Sequence, residues 1–388
     1  MLHAQHPISR SDLPAPKAFS KARVLPLEAR RGAFGATRLG IQSLPIIDLS
    51  PMFGHNDALK RRVADEIGEA AREVGFFYIK NHSIEPGLID SAYLQSERFF
   101  SLSSDEKLEF DIAKSRNHRG YVPVTERGIY ADEQGKRRYE AFDMALDLPN
   151  DDPDFVSGHA LLGPNVWPRI DGFRDHIRTY YNAVSDLGKM LYRAFEFHLD
   201  LPCGYFDQLL TRPTSQLRLI HYLENNDRLD EKDMNMGAHT DYECFTILHQ
   251  RQPGLQVMNT HGQWIEAPPI DGTFVINIGD MLEVWTNGAF KSNLHRVINN
   301  GKERYSMPYF ASVNYDAVIE PLPTVTSRKN PQRYNKIVAG DHLFGQLLRD
   351  FSYLRERHSS GKLKIDFQIP QGNPFEQTKQ QQEMDWAA

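Results

Sequence analysis

No run of 18 or more apolar residues occurs in this chain, so the sequence offers no helix expected to span a bilayer. Cysteine is almost missing: Cys203 and Cys244 stand far apart, without a CxxC or a Cys/His spacing. That scarcity excludes a disulfide scaffold and a cysteine-built zinc site, and it favours a reducing, cytoplasmic setting. A basic surplus is missing too, since 45 Lys and Arg face 51 Asp and Glu for a formal charge of −6. Phosphate backbones find no overall partner here, and a nucleic-acid binder is not expected. No internal repeat is found.

What is present reads as a globular protein. Apolar residues make up 40% and charged residues 25% of 388 positions, enough for one large core or two ordinary ones. Residues 1–43 carry seven basic residues against two acids, a balance resembling a transit peptide, but Pro7, Pro14, Pro16 and Pro26 interrupt any helix. A poorly ordered extension is the expectation there. Ordered pattern begins at LPIIDLS (44–50), a buried strand; Asp57 then caps a helix, FFYIK (76–80) reads as a strand, and a second helix follows Pro86. Residues 111–168 show no strong periodicity and read as irregular, the kind of long segment that often surrounds a binding site. Phe173, Ile177, Tyr180, Val184, Leu187, Leu191 and Phe195 mark a long helix near 170–199. Short β segments are expected near 217–223, 242–249, 254–258, 263–266, 273–278, 281–286, 294–299 and 305–313, separated by glycine turns. About eight such strands predict a jelly-roll core. A last helix is expected over 335–357, followed by a loosely ordered Gln-rich tail from 369. Two regions, 44–168 and 169–357, therefore make up the folded unit, with 358–388 as the tail.

In GAHTDYECFTILHQ (237–250), His239 and Asp241 stand two positions apart in a stretch that reads as a strand, and so point to one face. Two readings are open for that pair alone: two ligands of one metal, or polar neighbours beside a turn. His295, 54 positions after Asp241 on another expected strand, adds a third donor. Two histidines and one carboxylate make the facial triad of non-haem Fe(II) sites, which leaves three positions open for a bidentate cosubstrate and dioxygen. Zinc more often takes a tetrahedral site with cysteine or three histidines. His249 and His261 are rivals without HxD spacing and are read as structural. Arg304 and Ser306, on one strand face nine residues after His295, form a donor pair suited to the far carboxylate of a dicarboxylic acid such as 2-oxoglutarate. A surface arginine beside a strand serine is the plainer alternative.

Taken together, HTDYECFTILHQ, PGLQV, FVINIGDMLEVWTNGAFKSNLHRVI and RYSMPYF closely resemble the isopenicillin N synthase-like branch of the Fe(II)/2-oxoglutarate dioxygenases. The likeness runs through LPIIDLS, GFFYIKNHSI, GYVPVTERG and EAFDMALDLP, from about residue 44 to 357. It implies an α+β, mainly β fold: a double-stranded β-helix (jelly-roll, cupin-like) core with flanking helices. By the same resemblance, His239, Asp241 and His295 hold iron, Arg304 and Ser306 clamp the distal carboxylate, and Tyr222 hydrogen-bonds the cosubstrate. Ile220 and Leu223 stand where many members have Asn and Pro around that tyrosine, which thins its polar support. Asn277 and Asp280 are read as turn residues that orient the ligands. Gly279 and Gly288 are assigned to backbone geometry, and Leu248, Leu255, Val257 and Val297 to the core.

The resemblance further implies Fe(II), 2-oxoglutarate and O2 as cofactors, with ascorbate as a stimulant, and oxidation of a small molecule by hydroxylation, desaturation or cyclisation with release of succinate and CO2. An amino-acid-derived or natural-product substrate is expected, with a monomer or homodimer as the working unit. Tyr121, Arg127, Tyr130, Phe245 and Phe310 are nominated as substrate contacts. Two alternatives stay open: an oxidase that works without 2-oxoglutarate, as isopenicillin N synthase and aminocyclopropane oxidase do, and a non-catalytic sensor on the same fold.

Overall fold

The computed structural model describes residues 44–125, 138–224, 234–259, 262–370, 373 and 375. Strand β1 (Ile46–Asp48) lies parallel to β2 (Phe76–Lys80), and helix α1 (Asp57–Glu73) joins them. Asn56, not Asp57, caps that helix: its side-chain oxygen accepts from the N–H groups of Ala58 and Leu59. Asp57 instead places its charge in the first turn, where the helix dipole favours it. Helix α2 (Pro86–Phe100) follows, then the short α3 (Ser104–Leu108), which Ser103 and Glu106 close with a reciprocal capping box.

The segment expected to be irregular contains β3 (Gly120–Val122), β4 (Tyr139–Ala145) and a single turn of helix, α4 (Pro153–Val156). All seven residues of β4 are buried, so its sequence lacks the alternation that marks a half-exposed strand. Helix α5 (Phe173–His198) follows, with its whole apolar stripe buried. Each such side chain contributes on the order of 2 kcal/mol. At Gly188 the helix passes within van der Waals reach of Ile247 and Tyr309, so α5 lies against the back of the main sheet.

From there the chain alternates between two sheets. Strands β5 (Gln216–Tyr222), β6 (Met234–His239), β7 (Phe245–Gln250), β8 (Leu255–Met258), β9 (Trp264–Glu266) and β10 (Thr273–Ile278) precede helix α6 (Asp280–Trp285). Strands β11 (His295–Ile298), β12 (Arg304–Ala311) and β13 (Val318–Ile319) come after it. The main sheet runs β1-β2-β10-β7-β12-β5-β4-β3 and the smaller one β6-β11-β8-β9. Two sheets of this kind form the jelly roll, flanked by helices in an α+β arrangement.

Three expectations need correction. The strand expected at 281–286 is helix α6; its run of buried apolar residues has no strand alternation, and Asp280 and Glu283 sit in its first turn. The HTD stretch is not one strand: β6 ends at His239, and residues 240–244 form a turn before β7. Backbone N–H groups at the start of α6 hold that turn, because Gly279, Asp280 and Met281 donate to the carbonyls of Cys244, Asp241 and Glu243 at 2.8–3.1 Å. A Cβ at position 279 would lie 2.3 Å from the Glu243 carbonyl oxygen, which explains the glycine. The last helix is split: β14 (Ile337–Val338) leads into α7 (Ala339–Asp350), Phe351 turns extended, and α8 (Ser352–Ser359) starts afresh.

The tail is also tied down further than expected. Asn373 is buried, and its amide donates to the Thr240 hydroxyl and to Asp280 Oδ2, both at 3.0 Å. Among the described residues, no helix is long and apolar enough to cross a membrane.

Candidate metal centre and its cavity

Strands β6 and β11 run antiparallel with His239 and His295 as direct partners, so the two imidazoles face one another, ring centres 4.2 Å apart. Nδ1 of His239 lies 2.9 Å from the Gly237 carbonyl. A carbonyl only accepts, so Nδ1 carries the proton and Nε2 presents its lone pair. His239 Nε2 and His295 Nε2 lie 3.7 and 3.4 Å from Asp241 Oδ1. The other carboxylate oxygen, Oδ2, is taken up by the Thr246 hydroxyl and by the Asn277 amide, the latter at 2.7 Å. One oxygen is thus anchored and the other turned to the histidines.

Burial, with the His295 ring beside it, pushes His239 down to about 4, so its imidazole is neutral at neutral pH. Burial works against ionisation of Asp241, but the His295 and His239 rings and the Thr246 hydroxyl together outweigh it and hold the carboxyl below the usual carboxylate range. The donor atoms of the three residues lie within 4.8 Å of one another. Two imidazoles and one carboxylate, with no cysteine, fit Fe(II) better than structural zinc.

Arg304 and Tyr222 are cross-strand partners on β12 and β5, and the guanidinium lies over the tyrosine ring, 4.6 Å from its centre. The arginine is 2% exposed. Its Nη1 donates to Ser306 Oγ at 3.2 Å and its Nη2 to Gln250 Oε1 at 2.9 Å, and Gln250 is itself fixed by the Ala267 carbonyl at 2.6 Å. Among the described residues no carboxylate pairs with this buried cation. Gln250 was not singled out from sequence; its only sign was its place on the cavity face of β7, opposite Ser306.

The triad and Arg304 share a cavity between the two sheets. Phe310 lines it. Leu248, Leu255 and Val297 line it too and are not merely core fillers, while Val257 is buried in a smaller cluster beside it. Phe245 does not reach the cavity: the pleat of β7 turns Thr246, Leu248 and Gln250 inward, and Phe245 packs on Tyr192 and Phe195 at 4.8 and 5.5 Å. Tyr121 is elsewhere as well. Its hydroxyl donates to Glu140, which also takes Lys107 and His221 in a buried network. The rival His249 meets the Tyr93 hydroxyl at 3.0 Å, away from the triad. Arg127, Tyr130 and His261 lie outside the described residues.

Further along the same sheet, the cavity lining carries charge that sequence reading missed. Arg218 pairs with Asp143 through Nε and Nη2 at 2.6 and 2.7 Å, with Asp143 fully buried and Arg218 mostly so. Removing one partner would strand the other, so Asp143→Ala is expected to cost about 3–5 kcal/mol, read from the shift of the urea unfolding midpoint. Glu243 lines the same cavity with its carboxyl pushed up to about 8, by burial first and then by Asp241.

A jelly roll with two histidines and a carboxylate at the mouth of an internal cavity defines a metal-dependent oxygenase of the non-haem iron class. Comparison with known proteins narrows that class. Residues 44–170 match the family model described as non-haem dioxygenase in morphine synthesis N-terminal, and residues 213–313 match the 2OG-Fe(II) oxygenase superfamily. A homoarginine-6-hydroxylase of Oryza sativa is 34% identical over 327 residues, which cover 80% of this chain and 98% of the relative. A 2-oxoglutarate-Fe(II) type oxidoreductase of Emericella nidulans is 33% identical, covering 78% and 88%. Among solved structures, a full-length Neurospora crassa protein in complex with alpha-KG and thymine superposes with a TM-score of 0.69 at 29% identity, covering 78% of this chain and 96% of that one. The chain belongs to the 2OG-Fe(II) oxygenase superfamily. It is a dioxygenase that uses Fe(II) and 2-oxoglutarate to oxidise a small-molecule substrate.

Proposed function

We propose that His239, Asp241 and His295 are the residues that hold Fe(II), that Arg304 and Ser306 with Tyr222 receive the distal carboxylate of 2-oxoglutarate, and that the substrate is a small amino-acid-derived molecule. The observation that carries the cosubstrate site is Arg304: a buried guanidinium with no carboxylate partner among the described residues is costly unless an anion completes it. Bound Fe(II), with 2-oxoglutarate and dioxygen, supplies the oxidant that removes a hydrogen atom from the substrate, with succinate and CO2 released.

The protein's own part is positioning and exclusion of water. Thr246 and Asn277 fix which oxygen of Asp241 faces the histidines. The Gly237 carbonyl fixes the tautomer of His239. Gln250 and Ser306 hold the guanidinium fork in one orientation before any ligand arrives. Leu248, Leu255 and Val297 keep the space between the two anchors apolar. The substrate assignment draws support from the homoarginine named for the rice relative and from the polar side chains in the cavity lining.

Anaerobic titration of the Fe(II)-loaded protein with 2-oxoglutarate tests the site. A visible charge-transfer band is expected in the wild type, and its absence would refute the paired iron and cosubstrate sites. Asn277→Ala should weaken iron about 10- to 100-fold in a chelator competition, because Asp241 loses one of its two anchors.

A further inference from the structure

We infer that Asn373 is a positioning residue of the metal centre: it ties the segment after α8 to the turn that carries Asp241, so that iron binding and docking of that segment strengthen each other. The inference rests on the metal site proposed above. Beyond α8 the chain runs back along α7. Phe367 meets the Phe344 ring at 6.3 Å between centres, and Pro370 lies against Gly345, where a Cβ would meet it at 2.9 Å. Asn373 then enters the interior at 1% exposure, and Phe375 stacks on Tyr334 with ring centres 6.0 Å apart.

Both anchors lead to the first turn of α6. The Asn373 amide donates to Thr240 Oγ and to Asp280 Oδ2, each at 3.0 Å, and the Tyr334 hydroxyl beside Phe375 donates to Glu283 Oε1 at 2.8 Å. These two carboxylates serve both strands that carry the metal ligands. Asp280 Oδ2 also accepts from the hydroxyl of Thr240, which stands between His239 and Asp241, and the Asp280 N–H donates to the Asp241 carbonyl at 2.9 Å. Asp280 Oδ1 accepts from the Ser292 hydroxyl at 2.6 Å, and Glu283 Oε2 from the Ser292 N–H at 2.7 Å, three residues before His295. One short helix thus sets the turn before β7 and the approach to β11, and the Asn373 amide closes that network from outside. A site whose ligands hold the binding geometry only part of the time binds metal more weakly by that fraction. Without the amide, Thr240 and Asp280 gain freedom, and the turn bearing Asp241 spends less time in the arrangement that iron needs. Such coupling is reciprocal: whatever factor docking of the segment adds to iron affinity, bound iron adds to docking.

The test begins with the unaltered chain. A serine carboxypeptidase is applied anaerobically with and without Fe(II), and mass spectrometry follows shortening past residue 373; an unrelated peptide digested in parallel controls for any effect of iron on the protease. Cleavage that waits on brief release of the segment tracks the population of the released form. Bound Fe(II) should therefore slow that step about 10-fold, the lower end of the range for groups that orient metal ligands. Two variants then locate the cause. Asn373→Ala removes the side chain, whereas Asn373→Asp removes the donor and keeps the oxygen that accepts from the Phe375 N–H. Each should raise the Kd for Fe(II), read by chelator competition, about 10-fold. Equal shortening with and without Fe(II), or an unchanged Kd in both variants, overturns the inference. So does a loss confined to Asn373→Ala, which places the effect in packing and not in the donated hydrogen bonds. If a variant fails to fold, the protection of the unaltered chain still decides. A wild-type chain that binds no Fe(II) overturns the metal site itself, whereas any of the other failures in a chain that does bind iron leaves that site standing.

Discussion

His239→Ala is expected to remove iron binding and turnover together. Changes in residues that only orient a ligand cost metal sites about 10- to 100-fold in affinity, and deleting a ligand must exceed that. The geometry leaves no substitute. His249 is engaged with Tyr93 away from the triad, and Asp241 has one oxygen committed to Thr246 and Asn277. The fold should survive, because the imidazole lines a cavity rather than the apolar core. Iron content after desalting, with succinate formation on the same sample, checks this. A variant that kept stoichiometric iron and wild-type turnover would refute the triad.

Arg304→Ala should act differently, sparing iron and raising the 2-oxoglutarate concentration for half-maximal turnover by about 30- to 5,000-fold. Truncating one member of a buried charge pair costs about 2–5 kcal/mol, and here the stranded member would be the ligand. Arg304→Lys separates charge from geometry. An ammonium keeps the charge but cannot span Ser306 Oγ and Gln250 Oε1 as the fork does, so an intermediate requirement is expected. Unchanged 2-oxoglutarate dependence in both variants would show that the distal carboxylate binds elsewhere.

The parts of the site legible in sequence were those in which residue type carries the chemistry. Histidine, aspartate and arginine have few functional alternatives in such spacing, so His239, Asp241, His295, Arg304 and Ser306 stood out before any coordinates. Their surroundings did not. Gln250 is a common polar residue whose role depends on cross-strand register, a long-range property absent from local pattern. Phe245 was misplaced for a related reason: the strand was read as starting at 242, through a turn that α6 holds from 40 residues away, and alternation along β7 then decides which aromatic faces inward. The pairing of Arg218 with Asp143 joins β5 to β4, the strand that uniform burial had hidden. In the fold, strongly periodic elements such as α1 and α5 were plain, whereas α6, with every residue buried, offered no polar face to set its period.

The contact of Asn373 with Thr240 and Asp280 bears on the order in which the molecule is finished during synthesis. Thr240 leaves the ribosome 133 residues ahead of the asparagine that anchors it. At about 5–20 residues per second, that gap is on the order of 10 s. Once α6 has followed, the turn bearing Asp241 has its backbone bonds but still lacks the Asn373 amide. The metal centre is therefore among the final parts of the chain to reach its mature geometry, and iron meets a completed site only after the far end has been delivered.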